Sequence, residues 1–356
     1  MGGLQQPVAG VDFPGSLGEV RAWFPDDDAC LDYLAWLRWG EFGFVCHLCG
    51  DVDGWQSSRF AWECAGCKAR VTPTAGTIFH RTRTPLTVWF EAGWLVTTQA
   101  YGASALGLQR VLGLGSYQTA WTMLHKFRTA MVDPDRTKLD GIVEGDEVFI
   151  GGKGKAGAPG RAAKPGVSVV IALVERRTKG FGRCRLVVVP DASAQSLEAV
   201  LREHVEPTAT IATDAWQSWE TATKNAGYAH DRTNVSKSGK KAHLVLPAVS
   251  RVASQVKRWL NGTLQGAVTP EHLQAYCHEF EFRFNRRRSR HRGQLFYRLL
   301  SQAVWTPPTG YADLVLIGGA KKTRPTPPPQ RRVGPSTLAQ PDAGRPWRSA
   351  PASLTP

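Results

Sequence analysis

The spacing of apolar positions changes along the chain, and each change predicts a different kind of element. Within Asp27–Arg38, Leu31, Leu34 and Leu37 form the apolar side of a short amphipathic helix. Residues 84–132 keep helical periodicity, broken only by glycine-containing turns. Between 139 and 220 the pattern shortens. β-Branched runs at Gly141–Ile150, Val167–Val174, Arg185–Val189 and Thr208–Thr213 predict strands, with a helix Ala194–His204 between the last two. Gly151–Gly166 is rich in glycine and carries Lys153, Lys155, Arg161 and Lys164, so a mobile loop is expected there. Residues 247–300 return to helix. Pro247 suits a first helical position, Asn261-Gly262 a stop, and Pro270 the start of a second helix, which runs into the basic stretch Arg283–Arg292. From Lys321 proline and basic residues replace apolar ones, which predicts a disordered tail over 321–356. The whole reads as an α/β chain.

At 356 residues the chain can hold two or three domains with their own cores. A formal net charge of +14 favours a polyanionic partner, nucleic acid being the commonest. Met1–Asp12 lacks the basic-then-apolar order of a secretory signal, and the longest apolar runs are too short to cross a bilayer. A soluble protein of the cytoplasm, with no membrane partner, is expected. Seven cysteines, four of them clustered, suit a reducing compartment and a metal site better than a disulfide framework.

The cluster is Cys46-His47-Leu48-Cys49 and Cys64-Ala65-Gly66-Cys67, two Cys-x-x-Cys knuckles 14 residues apart. Each knuckle can turn two thiolates toward one ion, and four thiolates close a tetrahedral zinc site with no open position, hence a structural one. Gly50 and Gly66 suit the tight turns required. Cys30, Cys184 and Cys277 fall on apolar elements and are expected in cores. A zinc ribbon with its preceding helix would then occupy residues 13–75.

A helix-turn-helix is predicted within 84–132. Ser104 starts a helix bearing Leu106, Leu108, Val111 and Leu112. Gly113-Leu114-Gly115 turns, and Ser116 caps a second helix, Tyr117–Met131. The second helix would enter a major groove and present Gln118, Thr119, His125, Lys126 and Arg128. An ordinary helical hairpin fits the same pattern.

Two carboxylates stand out in the strand-rich part. Period two places Glu144 and Asp146 on one face of Val143–Phe149 and Glu147 on the other. Asp214 follows the run Thr208–Thr213 directly. Two such carboxylates can hold a pair of divalent ions for phosphodiester chemistry, although a lone aspartate at a strand end is more often a cap.

Several stretches together carry a specific resemblance. Thr74-Ala-Gly-Thr-Ile-Phe-His80, Val143-Glu-Gly-Asp-Glu-Val-Phe-Ile-Gly-Gly152, Thr213-Asp-Ala-Trp216, Lys257-Arg-Trp-Leu-Asn-Gly-Thr263 and Phe282-Arg-Phe-Asn-Arg286 resemble the ISXO-like insertion-sequence transposases, over about residues 13–305. The resemblance implies a zinc ribbon followed by an RNase H-like domain of the DDE class, here 139–305. It implies that Asp146 and Asp214 are catalytic and bind magnesium or manganese. The third catalytic residue lies in many DDE enzymes about 35 residues after the second aspartate and seven before a basic residue. With Lys257 as that basic residue, both spacings arrive at Ser250, where relatives carry glutamate, asparagine or histidine.

The function this implies is DNA transposition: binding terminal inverted repeats, cleaving element ends and joining their 3′-hydroxyls to target DNA. Lys257, Arg258 and, in the basic run, Arg286 would contact DNA. Holding two ends implies a homo-oligomer on DNA, in a bacterial, nucleoid-associated setting. Two rivals stand beside it: an impaired or repurposed transposase that only binds DNA, for which Ser250 speaks, and a nuclease without strand transfer.

Overall fold

The computed structural model describes residues 7–40, 43–151, 167–178, 180–233, 242–266 and 268–315. The expected mobile loop, apart from Gly151, and the expected tail lie outside these residues. In chain order the elements are α1 (Leu17–Trp23), α2 (Asp27–Trp39), β1 (Gly54–Ser58), β2 (Ala61–Cys64), β3 (Arg70–Val71), α3 (Leu86–Thr98), α4 (Ala105–Leu112), α5 (Tyr117–Ala130), β4 (Ile142–Gly151), β5 (Val167–Arg176), β6 (Phe181–Val189), α6 (Ala194–His204), β7 (Thr210–Asp214), α7 (Gln217–Ala226), β8 (Ala229–Thr233), α8 (Ala242–Val245), α9 (Pro247–Thr263), α10 (Pro270–Asn285), α11 (Gly293–Ala303) and α12 (Tyr311–Val315). No helix among the described residues is long and apolar enough to cross a membrane.

These elements form two compact units. The described residues up to Met131 and from Ser289 make one, and those within Val132–Arg288 make the other. In the first unit Phe24, Tyr33, Phe90 and Phe296 meet edge-on or tilted, with Phe24 and Phe90 centroids 4.6 Å apart. This cluster draws α11 onto α3. The boundary expected at residue 305 is therefore corrected: α11 buries Leu295, Phe296, Leu299 and Leu300 in the first unit rather than completing the strand-rich domain. The ribbon strands β1–β3 form a separate antiparallel sheet whose core is Trp39, Phe44, Cys46, Cys64 and Val71.

The second unit is built on one sheet of order β6-β5-β4-β7-β8. β5 runs antiparallel to both β4 and β6, whereas β7 is parallel to β4 and β8 parallel to β7. Both faces are covered. Val143, Ile171, Leu173 and Ile211 point to α6 and α7, with Trp219 against them. The alternate residues Val148, Val170, Ala172 and Ala212 point to α9 and α10. Two buried faces explain why these strands read as continuous apolar runs. Cys184 and Cys277 lie in this second core, and Cys30 in the first unit, as expected of core cysteines.

β6 is an edge strand, and an open edge exposes unpaired backbone groups. Here α10 supplies the partners. Asn285 accepts from the Cys184 N–H (2.7 Å) and donates to its carbonyl (3.1 Å). Glu281 accepts from the Leu186 N–H at 2.7 Å. Gln274 donates to the Leu186 carbonyl and accepts from the Val188 N–H. Side chains of one helix thus stand in for a sixth strand.

Candidate functional site

The two cysteine knuckles repeat one hydrogen-bond pattern. The Cys46 N–H donates to the Asp51 carbonyl and the Gly50 N–H to the Cys46 carbonyl. The Cys64 N–H donates to the Ala69 carbonyl and the Lys68 N–H to the Cys64 carbonyl. The residue closing each turn is left-handed, Gly50 at φ 78° and Lys68 at φ 56°. Gly66, expected to supply the second turn, is small for another reason: a Cβ there would collide with the Asp51 carboxylate. All four Sγ atoms lie within 4.8 Å of one another, with Cys46–Cys67 at 3.7 Å and Cys49–Cys64 at 3.5 Å. A tetrahedral ion with Zn–S bonds of about 2.3 Å needs sulfurs about 3.8 Å apart. The donor set therefore fits structural zinc.

The Thr74–His80 segment braces this knuckle. Arg38 of α2 is buried and donates to the carbonyls of Thr72, Pro73 and Ala75. A Cβ at Gly76 would run into the His47 ring, so the segment closes on the first knuckle only because that position is glycine.

α4 and α5 are two capped helices joined by a short glycine turn. Ser104 and Ser116 each cap the N–H three residues on, and Gly113 makes the left-handed turn at φ 63°. The outward face of α5 is not as expected. Arg128 and His125 are each only 2% exposed, and Lys126 donates to the Ile78 carbonyl at 3.2 Å while lying over Trp89. α5 packs against α3, α4 and α11, so positions that look outward on an isolated helix are covered. Arg128 and Lys126 are therefore withdrawn as groove-facing residues, and Gln118 remains exposed.

In the second unit, β4 and β7 bring the two aspartates together. Their register pairs Ile142 with Thr210, Val143 with Ile211 and Glu144 with Ala212. Carried two residues past its last pair, this register sets Asp146 opposite Asp214, on the face that Val148 and Ala212 share with α9. Adjacent strands lie about 4.8 Å apart. Asp146 is not at a strand end: β4 continues to Gly151 in its pairing with β5, while β7 stops at Asp214. Asp146 Oδ1 accepts from the Glu147 N–H (2.9 Å) and Asp214 Oδ1 from the Trp216 N–H (3.2 Å). Both residues are half-buried.

The rest of the Val143–Phe149 motif has separate duties. A Cβ at Gly145 would stand 2.8 Å from the Trp219 ring, so glycine lets α7 seat under β4. Glu144 is wholly buried. Its Oε1 accepts from Arg176 Nε at 2.7 Å, and its Oε2 accepts from the N–H groups of Ala248 (2.7 Å) and Val249 (3.0 Å) in the first turn of α9. Strand periodicity alone placed Glu144 on one face with Asp146 and gave it no partner. The clue to its role was the missing cap before Pro247.

Ser250 and Lys257 lie on α9, as the spacings required. Val249, Val252, Val256, Trp259 and Leu260 bury one side of this helix, leaving Ser250 half-buried and Lys257 and Arg258 exposed. The basic run divides. Arg286 stacks over Phe282 at 4.1 Å and donates to its carbonyl, and Arg287 donates to the Gly182 and Phe284 carbonyls. Arg288, Arg290 and Arg292 are exposed.

Comparison with known proteins agrees with this partition. Residues 138–285 match the family model of the ISXO2-like transposase domain, and residues 25–70 match that of the transposase zinc-ribbon domain. An uncharacterized transposase-like protein of Haemophilus influenzae is 28% identical over 105 residues, 29% of this chain and 83% of that protein. In the expected order, the chain carries a four-cysteine domain of the transposase zinc-ribbon type and a strand-rich domain of the ISXO2-like transposase type.

Proposed function

We propose that the protein is a DDE-type transposase with an RNase H-like catalytic core, which cleaves the ends of its element and joins the freed 3′-hydroxyls to target DNA. The observation that carries this reading is the level placement of Asp146 and Asp214 on adjacent parallel strands, under the helix that bears Ser250 and Lys257. Two carboxylates side by side suit magnesium or manganese, hard ions that take oxygen ligands and keep several waters. When bound there, such ions supply activation of the attacking oxygen and stabilisation of the leaving one. The chain's own residues hold and orient: Asp146 and Asp214 offer the ligand oxygens, and exposed Lys257 and Arg258 offer charge to phosphate.

The zinc ribbon and the α4–α5 hairpin form the recognition end, with Gln118 exposed at the start of α5 and terminal inverted repeats as the DNA recognised. Arg286 keeps its place beside the phosphate path through the basic run. Synapsis of two ends calls for a homo-oligomer on DNA, associated with the nucleoid.

Cleavage of a repeat-end duplex in magnesium tests the proposal. Asp146→Asn and Asp214→Asn should each lower the rate by about a thousandfold or more, the several kcal/mol that metal catalysis supplies, while duplex binding persists. Asp214→Asn cleaving at the parental rate would refute it. Ser250 favours one second reading, a transposase that binds its ends without cutting them. Tight repeat binding with no cleavage by the unmodified chain, restored by a ligand at position 250, would establish that reading.

A further inference from the structure

We infer that Glu144 is a positioning residue: its buried carboxylate sets the first turn of α9, and through it Ser250 and Lys257, against Asp146 and Asp214. The inference rests on the catalytic reading of those two aspartates. Its structural basis is an accounting of hydrogen bonds. The N-terminus of a helix leaves N–H groups without partners inside the helix, and burial makes each one costly. Leu246, at the cap position of α9, offers no side-chain acceptor, and Pro247 has no N–H. The Ser250 N–H already donates to the Leu246 carbonyl. The groups left open are the N–H of Ala248 and Val249, and both donate to Glu144 Oε2. The cap of α9 therefore comes from β4, a strand remote in sequence.

Its location gives this cap a consequence. Glu144 and Asp146 share one face of β4, two residues or about 7 Å apart. The helix tied to the first carries, one residue beyond Val249, the third position of the site. Strand and helix are thus pinned together beside the catalytic face, and Glu144 fixes the start of α9 where apolar packing alone would leave its first N–H groups unpaired. A role for Glu144 as a third ligand is disfavoured by its partners. Arg176 Nε and two N–H groups at the positive end of a helix already face its oxygens and balance its charge. A cation would compete with all three.

Hydrogen exchange on the full-length protein, read over residues 246–252, tests this without relying on activity. Glu144→Ala should speed exchange of the Ala248 and Val249 amides by about tenfold or more, the effect of losing one buried cap. Glu144→Gln, which keeps a single acceptor oxygen, should fall between the two and covers the case in which the alanine variant does not fold. Manganese titration of the same proteins supplies the second reading. Affinity should persist in Glu144→Gln and be lost in Asp146→Asn. In end cleavage, Glu144→Gln should lower kcat with little change in KM. Unchanged exchange in both Glu144 variants would overturn the inference, as would loss of manganese binding in Glu144→Gln equal to that in Asp146→Asn. Asp146→Asn that binds manganese as the parent does would instead defeat the catalytic reading, and the exchange result would still stand for the cap.

Discussion

At the scale of single residues, the proposed catalytic reading turns on Ser250. A serine hydroxyl is neutral and a weak magnesium ligand beside carboxylates, and it cannot act as imidazole does. Glu144, which shares a strand face with Asp146, is tied to Arg176 and α9 and does not replace it. Substituting position 250 disturbs little backbone, because the Ser250 N–H bonds the Leu246 carbonyl whatever the side chain. A carboxylate there also sits in the first turns of a helix, where negative charge is favoured. Ser250→Glu or Ser250→His should therefore raise end cleavage by at least about tenfold, on the order of 1.4 kcal/mol of barrier. Robust cleavage by the unmodified chain that both replacements reduce would show that serine is the working residue. Ser250, Asp146 and Asp214 were legible as candidates because spacing and resemblance locate positions. The burial of Arg128 was not, because a helix's own periodicity does not say how many neighbours will cover it.

At the scale of elements, α10 holds the edge of the sheet with polar side chains, one of which, Glu281, titrates. Glu281 is 5% exposed, and burial pushes its carboxyl up to about 7, against the opposing pull of the Leu186 N–H, Arg136 and Arg185. The folded state thus holds this proton more tightly than the unfolded chain, whose glutamate titrates near 4.5. Stability from this group is full below about pH 4.5, falls as pH rises, and is lost above about pH 7. The difference amounts to on the order of 3 kcal/mol. Glu281→Gln keeps an acceptor for Leu186 without a charge. It should flatten the thermal-stability profile between pH 4.5 and 7 and raise the melting temperature at pH 8. A variant melting below the parent at pH 8 would show that the ion pair with Arg136 outweighs burial. Elements of this kind were hard to read from sequence. β1 and β8 are short, polar and largely exposed, so they lack the β-branched runs that identified β4–β7. Gln274, Glu281 and Asn285 look like a solvated stripe until the edge of β6 is placed beside them.

At the scale of the whole molecule, the two units rest on different supports. The second has a sheet covered on both faces by apolar clusters. The ribbon of the first has a core of only a few side chains around its cysteines, the size of core for which a metal supplies folding energy directly. Purified protein should contain about one zinc per chain. Strong chelation should disturb the tryptophan signal from Trp39 and Trp62, which pack on Phe44, and leave the far-ultraviolet signal of the second unit in place. Repeat binding should fall with the zinc. Zinc-free protein with normal spectra and normal repeat binding would show the knuckles to be dispensable.

The sequence by itself determined what local chemistry can specify. The cysteine spacing defines the zinc site, serine caps and glycine turns define the α4–α5 hairpin, and β-branched runs locate the strands. Intervals along the chain point to Asp146, Asp214 and Ser250. These features depend on neighbours a few residues away, or on repeated distances that survive as motif. Tertiary structure alone decided the rest. It made Glu144 the cap of a helix a hundred residues away, turned Arg128 inward, set a row of polar side chains against the β6 edge and drew α11 into the first unit. Each of these depends on which surfaces meet. A polar side chain carries the same local pattern whether its partner is water, a backbone amide or an ion, and packing alone selects among them.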